Sequence, residues 1–180
     1  MDLTQNHFEL FGFPVTFDID TQQLTERYRD LQRTLHPDRF ANVGDRERRL
    51  SIQRTAQVNE AFQTLKSPLQ RARYLLQLKG VSFDDERDTH LKPAFLMEQI
   101  ELRETLAAIP QQDDALTALN DFVNDIRSRK QAMEARLQAL LVKDDPDSLG
   151  EAKQTIQEMQ FLARLQQEAD ETEEILVGDL

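Results

Sequence analysis

Apolar residues recur along much of this chain at steps of three and four, the period of amphipathic helices. Leu24, Tyr28, Leu31 and Leu35 make one such stripe, predicting a helix over 21–35 with Asp18 or Asp20 as its cap. Over 45–66, Thr55, Val58, Phe62 and Leu65, with Ala61 beside them, predict a second helix packed antiparallel on the first. Ser67-Pro68 reads as a helix start and Gly80 as its stop. Between them lie Leu69, Ala72, Leu75, Leu76 and Leu78. Ahead of these helices, residues 7–11 form a short apolar turn closed by Gly12 and Pro14. Phe8, Leu10, Phe11, Phe13 and Phe17 are read as packing residues.

Residues 81–92 (VSFDDERDTHLK) are polar, acidic and aperiodic, and mark a linker between a unit over 1–80 and another over 93–180. Three further helices are predicted beyond it. The first spans 93–109, ended by Pro110. The second spans 113–142 and carries Leu116, Leu119, Val123, Ile126, Met133, Leu137 and Leu140. After a turn over 143–147 containing Pro146, the last runs from about Ser148 towards Val177, with Leu149, Ala152, Ile156, Met159 and Ala163 on one stripe. Long amphipathic helices with short connections make an antiparallel three-helix bundle. Few glycines and prolines, placed at breaks, complete an all-α reading.

Composition narrows the chemistry. The chain has no cysteine, which removes disulfides and thiolate-held metal clusters. His7, His36 and His90 have no His or carboxylate at metal-site spacing, so no metal or cofactor is expected. No apolar run approaches the ~20 residues that span a bilayer, and the basic-then-apolar pattern of a signal peptide is missing. The expectation is a cytoplasmic protein with no membrane role. Net charge is −11, divided as +2 over residues 1–80 and −13 over 81–180. An acidic half without a basic stripe would be repelled by phosphate, which argues against nucleic acid. The mildly basic half calls for an acidic protein surface as partner.

That positive charge gathers near one helix. Arg27, Arg29 and Arg33 lie off the 24–35 stripe, with Arg29 and Arg33 one turn apart on its exposed side. Pro37 then removes a donor and pushes His36 out of the α region, and Asp38 favours turns. The plainest reading of His36-Pro37-Asp38 is a helix followed by a proline turn. An acid–base enzyme using His36 and Asp38 would need a concave pocket and a third orienting group. The sequence offers neither, so the chain is read as a non-enzyme.

The helix over 93–109 has more apolar residues than one stripe needs. At about 100° per residue, Leu102, Leu106 and Ile109 all fall within about 40° of Phe95, forming a core face. Leu96, Met97 and Ile100 project about 100 to 200° away, bordered by Glu101 and Glu104. Three readings compete: the patch docks on the first unit, it is a scatter of surface residues, or it binds a partner. Phe161, about 140° from Ile156 on the last helix, lies off that helix's early core stripe and is grouped with the patch.

Residues 24–40, LTERYRDLQRTLHPDRF, resemble the J-domain of DnaJ-type co-chaperones, which stimulate ATP hydrolysis by DnaK-type chaperones. With FLMEQIELRETL at 95–106 following it, the whole chain resembles the HscB family, co-chaperones of iron–sulfur cluster assembly. The resemblance implies a J-domain over 1–80, a helical hairpin with short flanking helices, joined to a client-binding bundle over 93–180. It further implies that the J-domain partners an HscA-type ATPase through Arg27, Arg29, Arg33, His36, Pro37, Asp38 and Arg39. By the same resemblance the bundle carries an IscU-type scaffold on Leu96, Met97, Ile100, Glu101, Glu104 and Phe161. Arg39 replaces the lysine of many J-domains and keeps its charge. No Gly/Phe-rich tract or cysteine zinc module follows, unlike general folding co-chaperones.

Overall fold

The computed structural model describes residues 5–35, 44–83 and 93–178, and among these every regular element is helical. The chain divides into two compact units, Met1–Lys79 and Gly80–Leu180. The first holds α1 (His7–Leu10), α2 (Thr21–Leu35), α3 (Asp45–Lys66) and α4 (Pro68–Leu78). The second holds α5 (Pro93–Ala108), a 3₁₀ turn at Ile109–Gln111, α6 (Ala115–Lys143) and α7 (Pro146–Gly178).

In the first unit α2 and α3 pack antiparallel. The Tyr28 ring stacks on Phe62 at 3.9 Å, and its hydroxyl donates to Asn59 Oδ1 at 3.0 Å. Nearer the end of α2, Ser51 Oγ donates to the Leu35 carbonyl at 3.0 Å. Leu24, Val58, Ala61, Leu65, Leu75 and Leu76 fill the space between the helices, with Phe8 of α1 fully buried among the core residues. Each of the larger side chains, the Leu, Val and Phe, contributes about 1.5–3 kcal/mol by leaving water. The caps follow local chemistry. Asp20 Oδ1 accepts from the amides of Gln22 and Gln23, both at 2.9 Å, and Ser67 Oγ accepts from Gln70 N at 3.3 Å. Gly80 ends the region with φ of +81°, a conformation costly for any residue with a Cβ. Of the apolar residues of α4, Leu78 is exposed, because the buried face of the helix is filled by Arg71, Ala72, Leu75 and Leu76.

The second unit is an up-down-up bundle. Phe95 of α5 meets Phe161 of α7, and Arg103 meets Glu168, so the two contacts advance together and α5 runs parallel to α7. Two expectations need correction. Pro146 is the first residue of α7 rather than part of a turn: its missing N–H costs nothing there, and Asp145 caps the helix. The Asp145 carboxylate accepts from the Ser148 amide at 2.9 Å and from its hydroxyl at 2.7 Å. Those bonds, the amide's first, hold the Asp145 carboxyl below its ordinary pKa. Secondly, Phe122 and Leu141 join the core of α6 beside Leu119, Ile126, Leu137 and Leu140. A helix that meets two neighbours buries a wider arc than one stripe. α7 does the same, burying Phe161, Leu162 and Leu165 together, while Leu149 and Ala163 are only partly covered.

Candidate functional site

On α5 the two faces separate as the wheel predicts. Phe95, Leu102, Leu106 and the following Ile109 are 1–7% exposed and sit in the core with Leu119, Ile126 and Leu165. Leu96, Met97 and Ile100 are 43%, 59% and 51% exposed. Glu101 and Glu104 are exposed beside them. Three large apolar side chains left half in water within five residues form a patch that the bundle's packing does not require.

Charged side chains frame the face on both sides. Towards α6, Glu98 pairs with Arg129, whose Nε also donates to Asp125 Oδ2 at 2.7 Å. The Asp125 bond, with further help from Glu98, raises the Arg129 pKa above its already high ordinary value. Towards α7, the Arg103 guanidinium lies 5.5 Å from the Phe161 ring centre and 3.9 Å from Glu168. Sequence reasoning passed over Arg103. Its position about 80° from Phe95 on the wheel, at the border of the core face, was the available clue.

Phe161 is not where the wheel put it. It is 8% exposed and edge-on to Phe95, with centres 5.8 Å apart and planes at 89°. The reason is that α7 must pack against α5 as well as α6. A residue off one stripe lies on the other, and edge-to-face rings make that contact favourable.

In the first unit Arg27 is turned inward. Its Nη1 donates to the carbonyl oxygens of Phe11 and Gly12, the latter at 2.9 Å, and its guanidinium lies 4.5 Å from the Phe13 ring centre. The carbonyls that end a four-residue helix lack intrahelical donors, and Arg27 supplies them. Gly12, with φ of +66° and its missing Cβ position 3.2 Å from that nitrogen, makes the close approach possible. Arg29 is exposed. Arg33 is exposed too, 3.0 Å from Asp30 in a pair whose side chains are 78% and 71% accessible, a contact of little energetic weight. His36, Pro37, Asp38 and Arg39 lie outside the described residues. The carbonyl of Leu35, the residue before them, is tied to α3 by Ser51 and, at 3.5 Å, by Thr55.

His7 stacks on Tyr74 at 4.2 Å, and its backbone N–H donates to the Tyr74 hydroxyl at 3.1 Å. Burial lowers its imidazole pKa, against an opposing pull from Glu60. Among the described residues no group of three His, Cys, Asp or Glu could hold a metal ion, and no helix is long and apolar enough to cross a membrane.

Comparison with known proteins gives a consistent picture. The family model described as the HSCB C-terminal oligomerisation domain matches residues 91–170. A co-chaperone protein HscB homolog from Shewanella amazonensis is 41% identical over 172 residues, covering 96% of this chain and 99% of the relative. Among solved structures, chaperone HscB from Vibrio cholerae superposes with a TM-score of 0.86 at 38% identity, covering 96% of this chain and 99% of that one. The human co-chaperone protein HscB gives 0.87 at 26% identity, over 96% of this chain and 84% of that one. With relatives this similar along nearly its whole length, the chain belongs to the HscB family, the co-chaperones of iron–sulfur cluster assembly.

Proposed function

We propose that this protein carries an IscU-type scaffold on the exposed face of α5 and presents it to an HscA-type, DnaK-like ATPase, whose hydrolysis it stimulates in the cytoplasm. The unit over 1–80 addresses the ATPase and the bundle over 93–180 holds the client. The observation that carries this reading is the half-exposed trio Leu96, Met97 and Ile100, set on a helix whose opposite face is committed to the core. Apolar centres with a charged rim are how partner surfaces are built, and Met adapts its shape to a varied client. Glu101 and Glu104 supply the rim, while Phe161 backs the helix from beneath rather than meeting the client in the open.

On the ATPase side, Arg29 and Arg33 are the side chains of α2 available for docking, with His36-Pro37-Asp38-Arg39 as the trigger. Arg27 acts indirectly, by fixing α1 against α2. The chain itself supplies no catalytic group; it biases a partner between states. The test is an ATPase assay on the HscA-type chaperone with and without scaffold. His36→Gln should abolish stimulation and leave scaffold binding intact. Stimulation by that variant equal to the wild type would sink the trigger role.

A further inference from the structure

The rim of the apolar face on α5 is not symmetrical. Ile100 follows Leu96 by four residues and Arg103 follows Ile100 by three, so these side chains make one row along the helix. Met97, Glu101 and Glu104 make the adjoining row by the same spacing. Both rows begin apolar, but one ends in a guanidinium and the other in carboxylates. Towards α6 the neighbouring cation is already committed: Arg129 pairs with Glu98 and donates to Asp125 at 2.7 Å. Arg103 is held far more loosely. The carboxylate it meets, Glu168 of α7, lies at 3.9 Å, and the two side chains are 59% and 46% exposed. An ion pair this long and this wet is worth little, so exchanging Glu168 for another carboxylate costs little.

Burial of apolar surface is non-directional, so Leu96, Met97 and Ile100 alone would let a client slide or turn end for end. Opposite charges on the two rows fix one register. Residues 81–180 carry a net charge of −13, so most of this unit repels a client carboxylate. Such a group is accepted where a cation can be released to it, and a guanidinium offers it paired donors. We infer that Arg103 is a client-binding cation held in reserve: Glu168 and the Phe161 ring keep it beside the apolar face, and an acidic side chain of the scaffold takes it over from Glu168 on binding. Glu168 is then a competitor for the cation of the site rather than a brace between α5 and α7. Glu101 and Glu104, on the other row, repel the same client carboxylate in the reversed orientation. This inference deepens the client-carrying reading above and rests on it.

The experiment is calorimetric titration of the scaffold with the full-length chain and three variants. These are Arg103→Met, which keeps a long side chain over Phe161 without the charge, Glu168→Gln, and the two combined. Arg103→Met should weaken binding about tenfold. Glu168→Gln should do the opposite and tighten it about threefold, because the competitor loses its charge. On top of Arg103→Met, the Glu168 change should add nothing, since the cation it competes for is gone. Melting temperatures should stay within about 2 °C of wild type, as the pair is exposed. An affinity within twofold of wild type for Arg103→Met would overturn the inference. So would unchanged or weaker binding by Glu168→Gln, which a brace between α5 and α7 predicts. Tightening that persists in the combined variant would overturn it too, because net charge alone would then be the cause. If Arg103→Met lowers the melting temperature, the Glu168→Gln result still decides, since that variant leaves Arg103 in place. Absence of scaffold binding by the wild-type chain would instead remove the client-carrying reading itself.

Discussion

α2 and α5 are helices of 15 and 16 residues that solve the same problem differently. α2 keeps one apolar stripe, burying Leu24 and Leu35, and gives its outer side to Arg29, Asp30 and Arg33. α5 is apolar on two sides, one spent on Phe95, Leu102 and Leu106 and the other left to Leu96, Met97 and Ile100. The contrast teaches how each helix can recognise. A charged outer face guides encounter and is weakened by salt, while a half-exposed apolar face gains its energy by excluding water and is not.

Substitutions can break that contrast. The largest effect is expected from replacing Leu96, Met97 and Ile100 together by Ala, which should weaken scaffold binding by about 4 kcal/mol, close to a thousandfold. Because these side chains lie outside the core, urea unfolding of the same variant should barely change. Calorimetric titration with the scaffold decides, and undiminished affinity would show that the face is surface scatter. Next comes Phe161→Ala, which should destabilise the bundle by about 3 kcal/mol through the cavity left against Phe95. A loss of scaffold affinity with no loss of stability would instead restore Phe161 to the open face.

The smallest effect concerns the first unit and pH. The folded His7 has a pKa below its ordinary value of 6.5, so the unfolded chain binds the proton more readily. Its contribution is complete above the unfolded value and is lost as pH falls through the lower folded one. The melting temperature of the first unit should therefore drop on acidification below about pH 6.5, and His7→Gln should flatten that drop. An identical pH profile for the variant would remove His7 as the cause.

Much of this was legible one residue at a time. The bounds of α2 and α3, the Ser67-Pro68 start and the Gly80 stop rest on caps and backbone preferences that act within a few residues. The two faces of α5 followed from angles on a single helix. Misreadings arose where a second neighbour intervened. Phe161, Phe122 and Leu141 were missed from the core because a wheel cannot know how many helices will press on it. Arg27 looked like any other cation of α2 until the chain of α1 came back over it.

Periodicity, capping and charge are local, and by themselves they determined an all-helical chain in two units, with a basic helix in one and an apolar surplus on α5 in the other. Only the tertiary structure decided which surplus stayed in water. It turned Arg27 inward and closed Phe161 against Phe95. Those outcomes depend on which surfaces meet, and burial is a property of the pair in contact rather than of either sequence segment alone.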